Sequence, residues 1–272
     1  MPGAGQRRRG YVYTAGFVTN ARIRRILHLS GYDLRLGRPG PDDDVLVWGH
    51  SPYAPRGEAV ARATGAPLVR VEDAFLRSLH PGRSGDPPLG LILDRQGMYF
   101  DATQPSDLET LLATHPLDDT ALLDRARDAL ARIADADLTK YCATDPTLPP
   151  PPPGYVLVID QTRGDASIRL GGASAHSFAE MLAHAQTDHP GAPIVIKTHP
   201  DTQNGHRPGH FDPATLPPGV TLDDRPIAPR LLFEGARAVY CVTSQLGMEA
   251  IFCRPQARHL RRALLCGLGF DG

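Results

Sequence analysis

Short runs of apolar residues alternate with polar loops and helical segments along the chain. Residues 156–159 and 194–196 contain only valine, leucine and isoleucine. Such continuous runs are typical of strands buried on both faces of a parallel sheet, whereas half-exposed strands alternate apolar and polar positions. Because helical patterns lie between these runs, the sequence predicts an α/β fold.

The first half of the chain is predicted to alternate strands with helices. Asn20 is a good helix-capping residue, and Gly65 ends a helical pattern. The expected elements are strands at 11–14, 45–49 and 67–71, helices at 20–30 and 58–64, a hairpin of 91–94 with 98–101, a helix from Ser106 with Glu109 completing a capping box, and an amphipathic helix over 118–141.

A run of prolines at 149–153, closed by Gly154, separates the two halves. Proline has no backbone donor, so this run cannot join a helix or a central strand. We interpret 149–154 as a semi-rigid linker between an N-terminal Rossmann-like domain at 1–148 and a C-terminal one at 155–272. The second half predicts helices at 176–189 and 245–253, a short helix ending at Gly235, and strands at 194–197, 220–222 and 238–242.

Reactive side chains follow four of the predicted strands. In open α/β sheets, ligands bind beyond the carboxyl ends of the strands, so an enzyme site in a cleft between the two domains is the favoured interpretation. The residues at these ends are Glu72 and Asp73, the loop at 160–167 with Asp165, the His199-Pro200 pair, and the Thr243-Ser244 pair.

Each of these residues also has a purely structural explanation. The acidic pair can cap a turn, although adjacent carboxylates in a cleft can supply a general base. Asp165 can be a turn residue beside Gly164. His199 can simply end a strand, or its imidazole can bind or protonate a phosphate. The hydroxyl pair can cap the following helix, whose N-terminus also attracts anions.

Composition and charge narrow the classes of function. The chain has 272 residues and a formal net charge of -1, which gives no support for a nucleic-acid partner. No apolar run approaches the roughly 20 residues that cross a bilayer, and no secretory signal is recognised. Four cysteines without paired metal-ligand spacing favour a reduced, cytoplasmic chain with buried thiols.

Several segments together resemble a known family. They are Val-Glu-Asp-Ala-Phe-Leu-Arg-Ser at 71–78, Pro-Pro-Leu at 87–89, Gly-Met-Tyr-Phe-Asp-Ala-Thr at 97–103, the loop at 160–168, and the segments at 197–201 and 243–249. This combination, spread over about residues 11–252, resembles the capsule polysaccharide biosynthesis proteins of the KpsC/LpsZ type. Those proteins transfer β-linked Kdo (3-deoxy-manno-octulosonic acid) from CMP-Kdo.

The resemblance implies a GT-B-like glycosyltransferase with two Rossmann-like domains facing a cleft. It implies CMP-Kdo as donor substrate, with no cofactor and no metal. The expected partners are the CMP-sugar donor, a lipid-linked saccharide acceptor and, by peripheral contact, the inner membrane or the capsule export machinery. The three paired motifs are also similar to those of bacterial sialyltransferases, except that Ala74 occupies the position of a glycine after the acidic pair. Alanine fits there if its φ is negative.

The resemblance also implies roles for individual residues. These roles depend on the charge that develops as Kdo leaves CMP. Asp165 is expected to attack the sugar and form a covalent adduct in a retaining reaction, and Asp73 or Glu72 to take the acceptor proton. The expected substrate-binding residues are Arg77, Gln161, Arg163, Ser167, Lys197, His199, Pro200, Thr243, Ser244 and Glu249.

The chain becomes atypical from about residue 254, where arginines replace the β-branched residues of an expected strand. We therefore expect a truncated or frame-shifted end and an incomplete second domain. Two alternatives to an active transferase stay open. One is an inactive nucleotide-sugar-binding remnant. The other is an unrelated α/β hydrolase using His199 and Asp201, which is disfavoured because Gly-x-Ser-x-Gly is absent.

Overall fold

The computed structural model describes residues 7–253. Within that range the chain divides into two compact units. The first comprises residues 7–78, 86–99 and 104–114, and the second comprises residues 79–85, 100–103 and 115–253. The region at 115–148, which precedes the proline run, therefore groups with the second unit. The tail that we expect to be atypical from about residue 254 lies outside the described residues.

The first unit is built on one five-stranded sheet. Its strands are β1 (Arg8–Val12), β2 (Tyr32–Arg35), β3 (Asp44–Trp48), β4 (Leu68–Asp73) and β5 (Leu91–Asp94), and its helices are α1 (Ala15–Thr19), α2 (Ala21–Leu29), α3 (Ala54–Thr64) and α4 (Asp107–Thr114). The strand order is β2-β1-β3-β4-β5. The first four strands are parallel, and β5 pairs antiparallel with β4.

Alternate residues of β3 pack on opposite faces of this sheet. Leu46 belongs to a core that includes Phe17 and Leu27 from the helices on one side. Val45 and Val47 belong to a second core, with alanines of α3, on the other side. Burial on both faces explains why this strand has no alternation of polar and apolar residues.

The second unit is built on a four-stranded, fully parallel sheet. Its strands are β6 (Tyr155–Ile159), β7 (Ile194–Lys197), β8 (Val220–Asp223) and β9 (Ala236–Tyr240), and its helices are α5 (Thr120–Asp135), α6 (Ala166–Leu170), α7 (Ala175–Asp188), α8 (Pro200–Gln203), α9 (Pro229–Gly235) and α10 (Gln245–Cys253). The strand order is β8-β7-β6-β9. The carboxyl ends of β7, β6 and β9 are therefore neighbours along one edge.

The central strand β6 is buried along its whole length. Val156 and Val158 pack with Phe178 on one face, while Leu157 and Ile159 pack with Phe233 on the other. The apolar run that predicted a parallel strand is thus explained by two cores, one on each side of the sheet.

Many local predictions are confirmed at the level of single residues. The Asn20 side chain accepts the backbone N–H groups of Arg22 and Ile23 at the start of α2. Gly65 ends α3 with a left-handed φ of 72°. Ser106 and Glu109 form the expected reciprocal capping bonds before α4. The helix expected at 245–253 is α10.

Two local predictions are wrong. The hairpin of 91–94 with 98–101 does not form: β5 pairs with β4 on one edge, residues 98–101 are not a strand, and Oδ1 of Asp94 accepts the backbone N–H groups of Gln96 and Gly97 in the turn that follows β5. The helix expected over 118–141 ends at Asp135, and Asp137 adopts a left-handed φ of 50° that an α-helix cannot continue. The side chain of Asp137 is held there by the guanidinium of Arg230, at 2.5 Å. This contact joins the residue just beyond the helix end to α9.

We predict that Gly57→Ala destabilises the first unit. A Cβ atom at Gly57 would lie 2.5 Å from Cγ1 of Val47, a β-branched side chain that cannot swing aside, so α3 would have to move away from the sheet. The expected loss in the free energy of unfolding is about 1–3 kcal/mol, measured by urea denaturation. The matched control is Gly16→Ala, also in a helix but with no atom within 4 Å of the added methyl group. Equal stabilities of the two variants would contradict this packing.

Candidate functional site

The side chain of Gln161 joins the loop after β6 to the loop after β9. Its carbonyl oxygen accepts the backbone N–H of Thr243 at 3.0 Å, and its Nε2 donates to Oγ1 of Thr243 at 3.0 Å. Gln161 is 4% exposed, so both bonds are shielded from competing water. The structure therefore brings Gln161 and Thr243, which are 82 residues apart, into direct contact at the carboxyl edge of the second sheet.

Asp165 and Ser167 extend this contact into one hydrogen-bonded group. Oδ1 of Asp165 accepts the backbone N–H and the hydroxyl of Ser167, both at 2.9 Å. The Ser167 hydroxyl also lies 3.3 Å from Oγ1 of Thr243. Asp165 is thus the N-cap of α6, a structural role that differs from the turn position expected beside Gly164, and Ser167 holds its Oδ1 in place. We name Gln161, Asp165, Ser167 and Thr243 the β6–β9 cluster.

His199 follows β7 and is the N-cap of α8. Its Nδ1 accepts the backbone N–H of Asp201 at 3.0 Å, so in the neutral ring the proton is on Nε2, which is a donor. Burial lowers the pKa of His199 to about 4; the carboxylate of Asp201 opposes this shift and the ammonium of Lys140 adds to it. The imidazole is therefore neutral at pH 7.

One residue beside His199, Tyr141, was not predicted to belong to the site. The ring of Tyr141 meets the imidazole edge-on, with 5.9 Å between the ring centroids. Because 118–141 has the pattern of one amphipathic helix, Tyr141 was expected to belong to that helix and not to a site.

Pro200 occupies the first turn of α8, where its missing N–H costs nothing.

Asp160 holds the loop that contains His210 at the end of β6. Its carboxylate accepts the backbone N–H groups of Gln161 at 2.8 Å and of His210 at 3.1 Å. Burial raises the pKa of Asp160 to about 6, while these backbone bonds lower it. Gly209 is required here, since a Cβ atom at that position would lie 2.2 Å from the carboxylate. The sequence analysis assigned no role to Asp160, although the expected loop at 160–167 includes it.

Arg163 and Ser244 lie at the borders of the cluster. Arg163 is exposed, and its carbonyl accepts from the guanidinium of Arg207. The Ser244 hydroxyl accepts the backbone N–H of Leu246 at 3.3 Å, which caps α10. Their expected roles in substrate binding stay predictions.

Two other expected substrate-binding residues are engaged in bonds within the second unit. The ammonium of Lys197 donates to the backbone carbonyls of Arg225 at 2.7 Å and Asp223 at 3.4 Å, and burial lowers its pKa. The carboxylate of Glu249 accepts from Thr139 and from the side chain of Gln245. The binding roles of Lys197 and Glu249 stay predictions.

In the first unit, Glu72 and Asp73 are the last two residues of β4. Oδ2 of Asp73 pairs with Nε of Arg77 at 3.0 Å, and Oδ1 is buried without a hydrogen bond among the described residues. Arg77 is itself buried and donates to the carbonyl of Asp86 at 2.8 Å, so it holds both Asp73 and the following loop. Ala74 has no positive φ, which meets the condition for replacing glycine there.

Within residues 7–253, no group of three or more histidine, cysteine, aspartate or glutamate side chains is arranged to hold a metal ion. No helix in the same range combines the length and apolarity that crossing a bilayer requires. The absence of a cofactor stays a prediction.

The sequence matches one family along most of its length. Residues 43–147 and 143–270 match the family described as "Capsule polysaccharide biosynthesis protein", including part of the tail from residue 254. The chain is 35% identical over 255 residues to the capsule polysaccharide modification protein LipA of Neisseria meningitidis serogroup B, covering 90% of this chain and 36% of LipA. It is 35% identical over 193 residues to the lipopolysaccharide-processing protein LpsZ of Rhizobium meliloti, covering 69% of this chain and 44% of LpsZ. The chain thus spans less than half of these relatives.

Solved structures support the same relationship. The beta Kdo 2,4 transferase of Thermosulfurimonas dismutans KpsC superposes with a TM-score of 0.81 at 32% identity, covering 91% of this chain and 78% of that chain. The beta Kdo 2,7 transferase of the same KpsC, at a TM-score of 0.62 and 23% identity, shares the fold. The expected GT-B-like α/β class with two Rossmann-like units is confirmed, whereas the expected cleft stays a prediction. Because the family matches most of this chain and the KpsC/LpsZ resemblance is confirmed, this chain belongs to the capsule polysaccharide biosynthesis proteins.

Proposed function

We propose that this chain is a glycosyltransferase that moves Kdo from CMP-Kdo to a saccharide acceptor in capsule polysaccharide biosynthesis. The observation that carries the proposal is the β6–β9 cluster, which orients the carboxylate of Asp165 at the carboxyl edge of a parallel sheet. The likeness to a Kdo transferase at 32% identity supports the choice of sugar. The acceptor is proposed to be lipid-linked, which would bring the protein to the inner membrane face.

The donor phosphate is proposed to lie against His199 and the hydroxyls of Thr243 and Ser244. A neutral imidazole with its proton on Nε2 can donate to a phosphate oxygen without needing to be charged. Hydroxyl groups can do the same, and together they would stabilise the negative charge that develops on the leaving CMP. Gln161 supports this arrangement by holding Thr243 in place.

The proposed transfer has two steps. In the first, a carboxylate oxygen of Asp165 forms a bond to the anomeric carbon of Kdo as the bond from that carbon to the phosphate oxygen breaks, and CMP leaves with the electron pair. In the second, the acceptor hydroxyl attacks the same carbon, Asp165 departs as a carboxylate, and the hydroxyl proton goes to a base. We assign that base to Asp73 or Glu72. Two displacements retain the anomeric configuration.

We predict that CMP-Kdo leaves one Kdo residue attached to Asp165, detected by mass spectrometry of the digested protein. Asp165→Asn keeps a good N-cap for α6 but removes the nucleophile, so transfer should fall by at least about 10³-fold while the fold is retained. The control is Asp119→Ala, which removes the comparable N-cap of α5. That variant should lose about 1 kcal/mol of stability and keep its activity.

Other outcomes would separate the alternatives. CMP binding with neither adduct nor transfer would indicate an inactive nucleotide-sugar-binding protein. Ester hydrolysis that is lost in His199→Ala and unchanged in Asp165→Asn would indicate a hydrolase. Full transfer activity in Asp165→Asn would show that the carboxylate is not the nucleophile.

We predict a specific pH dependence for His199. Its pKa is about 4 in the folded protein and about 6.5 when unfolded, so the unfolded chain binds more protons between these values. The stability of the wild type should therefore fall, relative to His199→Gln, as the pH drops from 6.5 to 4. Asp160 acts in the opposite direction, because its pKa is raised, but it is present in both proteins and cancels. A constant stability difference between pH 7 and pH 4 would contradict the half-buried, neutral imidazole.

A further inference from the structure

A buried carboxylate on α10 holds a segment that lies 110 residues earlier in the sequence. Oε2 of Glu249 accepts the hydroxyl of Thr139 at 2.5 Å, and its Oε1 accepts the backbone N–H of Lys140 at 3.4 Å. Gln245, one turn earlier on α10, donates to the same Oε1 at 3.1 Å. Thr139 is 4% exposed and Glu249 is 6% exposed. We name the contacts of Glu249 with Thr139 and Lys140 the 139–249 clamp.

The clamp places two consecutive side chains beside His199. The ring of Tyr141 packs edge-on against the imidazole, and the ammonium of Lys140 lies 5.6 Å from the centroid of the Tyr141 ring. Burial is the main cause of the lowered pKa of His199, and the positive charge of Lys140 adds to it. The ring of Tyr141 therefore lies close to both the ammonium of Lys140 and the imidazole of His199.

The positive charge at position 140 is carried by a lysine. Of the 29 basic residues other than histidine, 27 are arginine and two are lysine, Lys140 and Lys197. The ammonium of Lys197 is buried and donates to two backbone carbonyls. Lysine and arginine are not interchangeable, since an ammonium is a compact charge and a guanidinium a broad planar fork. A lysine at 140 therefore places a compact charge, and not a planar fork, near the rings of Tyr141 and His199.

We propose that Lys140 is a substrate-binding residue that contacts an anionic oxygen group of the donor, and that Thr139 and Glu249 are positioning residues that hold it beside His199. This inference rests on the proposed function for the identity of the donor. A CMP-activated keto-sugar acid carries a phosphate and a carboxylate, and a partly desolvated ammonium binds either. In this proposal Glu249 acts through Lys140 and not by contacting substrate.

The binding test compares Lys140→Met with the wild type by titration calorimetry, using CMP and CMP-Kdo as separate probes. Loss of the charge should weaken CMP-Kdo binding by about 10-fold or more, the scale of one charged hydrogen bond. Equal weakening for CMP identifies the phosphate as the partner, whereas unchanged CMP binding identifies the sugar carboxylate. Lys140→Arg keeps the charge and should recover part of the affinity. The control is Arg127→Met, which removes a positive charge from the exposed face of α5.

The positioning test needs no substrate. The imidazole of His199 is titrated by NMR in the wild type, in Lys140→Met and in Thr139→Val, which removes the hydroxyl of the clamp with little change in volume. Other charged groups acting on His199 are Asp201, Asp165 and Arg207, and they are unchanged in both variants. The midpoint of the His199 titration should rise in Lys140→Met, because a repelling charge is lost. It should also rise in Thr139→Val, because Lys140 is no longer held in place. Thr139→Val should also weaken CMP-Kdo binding, by less than Lys140→Met.

The two tests separate the possible failures. If the wild type binds neither probe, the proposed function and the substrate contact of Lys140 both fail, while the NMR titration still decides whether the clamp positions Lys140. If the wild type binds CMP-Kdo and Lys140→Met binds it equally well, the substrate contact is refuted and the proposed function stands. Unchanged midpoints in both variants would overturn the positioning role of Thr139 and Glu249.

Discussion

The hydrogen bonds between Gln161 and Thr243 are the contact on which the rest of the candidate site depends. They join two loops that leave neighbouring parallel strands, and they do so with a side chain that water hardly reaches. Through Thr243 the contact extends to Ser167, and through Ser167 to the carboxylate of Asp165. A parallel sheet makes this possible, because it brings the carboxyl ends of distant strands to one edge.

Buried polar groups position the remaining parts of the second unit. Asp160 holds the loop at His210, Lys197 holds the loop after β8, and Glu249 holds the segment at Thr139. Each of these side chains would be costly to bury without partners. Their bonds instead fix loops at the edge of the sheet where His199 and Asp165 lie. Several residues that the sequence predicts to bind substrate therefore also hold loops in place.

Sequence patterns predicted those parts of the fold that depend on local chemistry. The apolar run at 156–159 predicted β6, and Asn20, Gly65 and the Ser106–Glu109 box predicted helix ends, because these signals act within a few residues. The predictions of one helix over 118–141 and of a hairpin at 91–101 were wrong: the chain turns at Asp137, which pairs with Arg230, and β5 pairs with β4 while Asp94 bonds the turn that follows it. No pattern in the sequence reports such long-range contacts. For the same reason no role was expected of Tyr141 or Asp160, whereas all four residues of the β6–β9 cluster were expected site residues, in roles that stay predictions.

The central claim is that the edge formed by β6, β7 and β9 binds the nucleotide part of the donor. A crystal structure of the protein with CMP tests this claim most directly. The account predicts that the phosphate lies within hydrogen-bonding distance of Nε2 of His199 and of the hydroxyl of Thr243, with the bonds of Gln161 intact. CMP bound away from this edge, or bound there with its phosphate directed away from both residues, would contradict it.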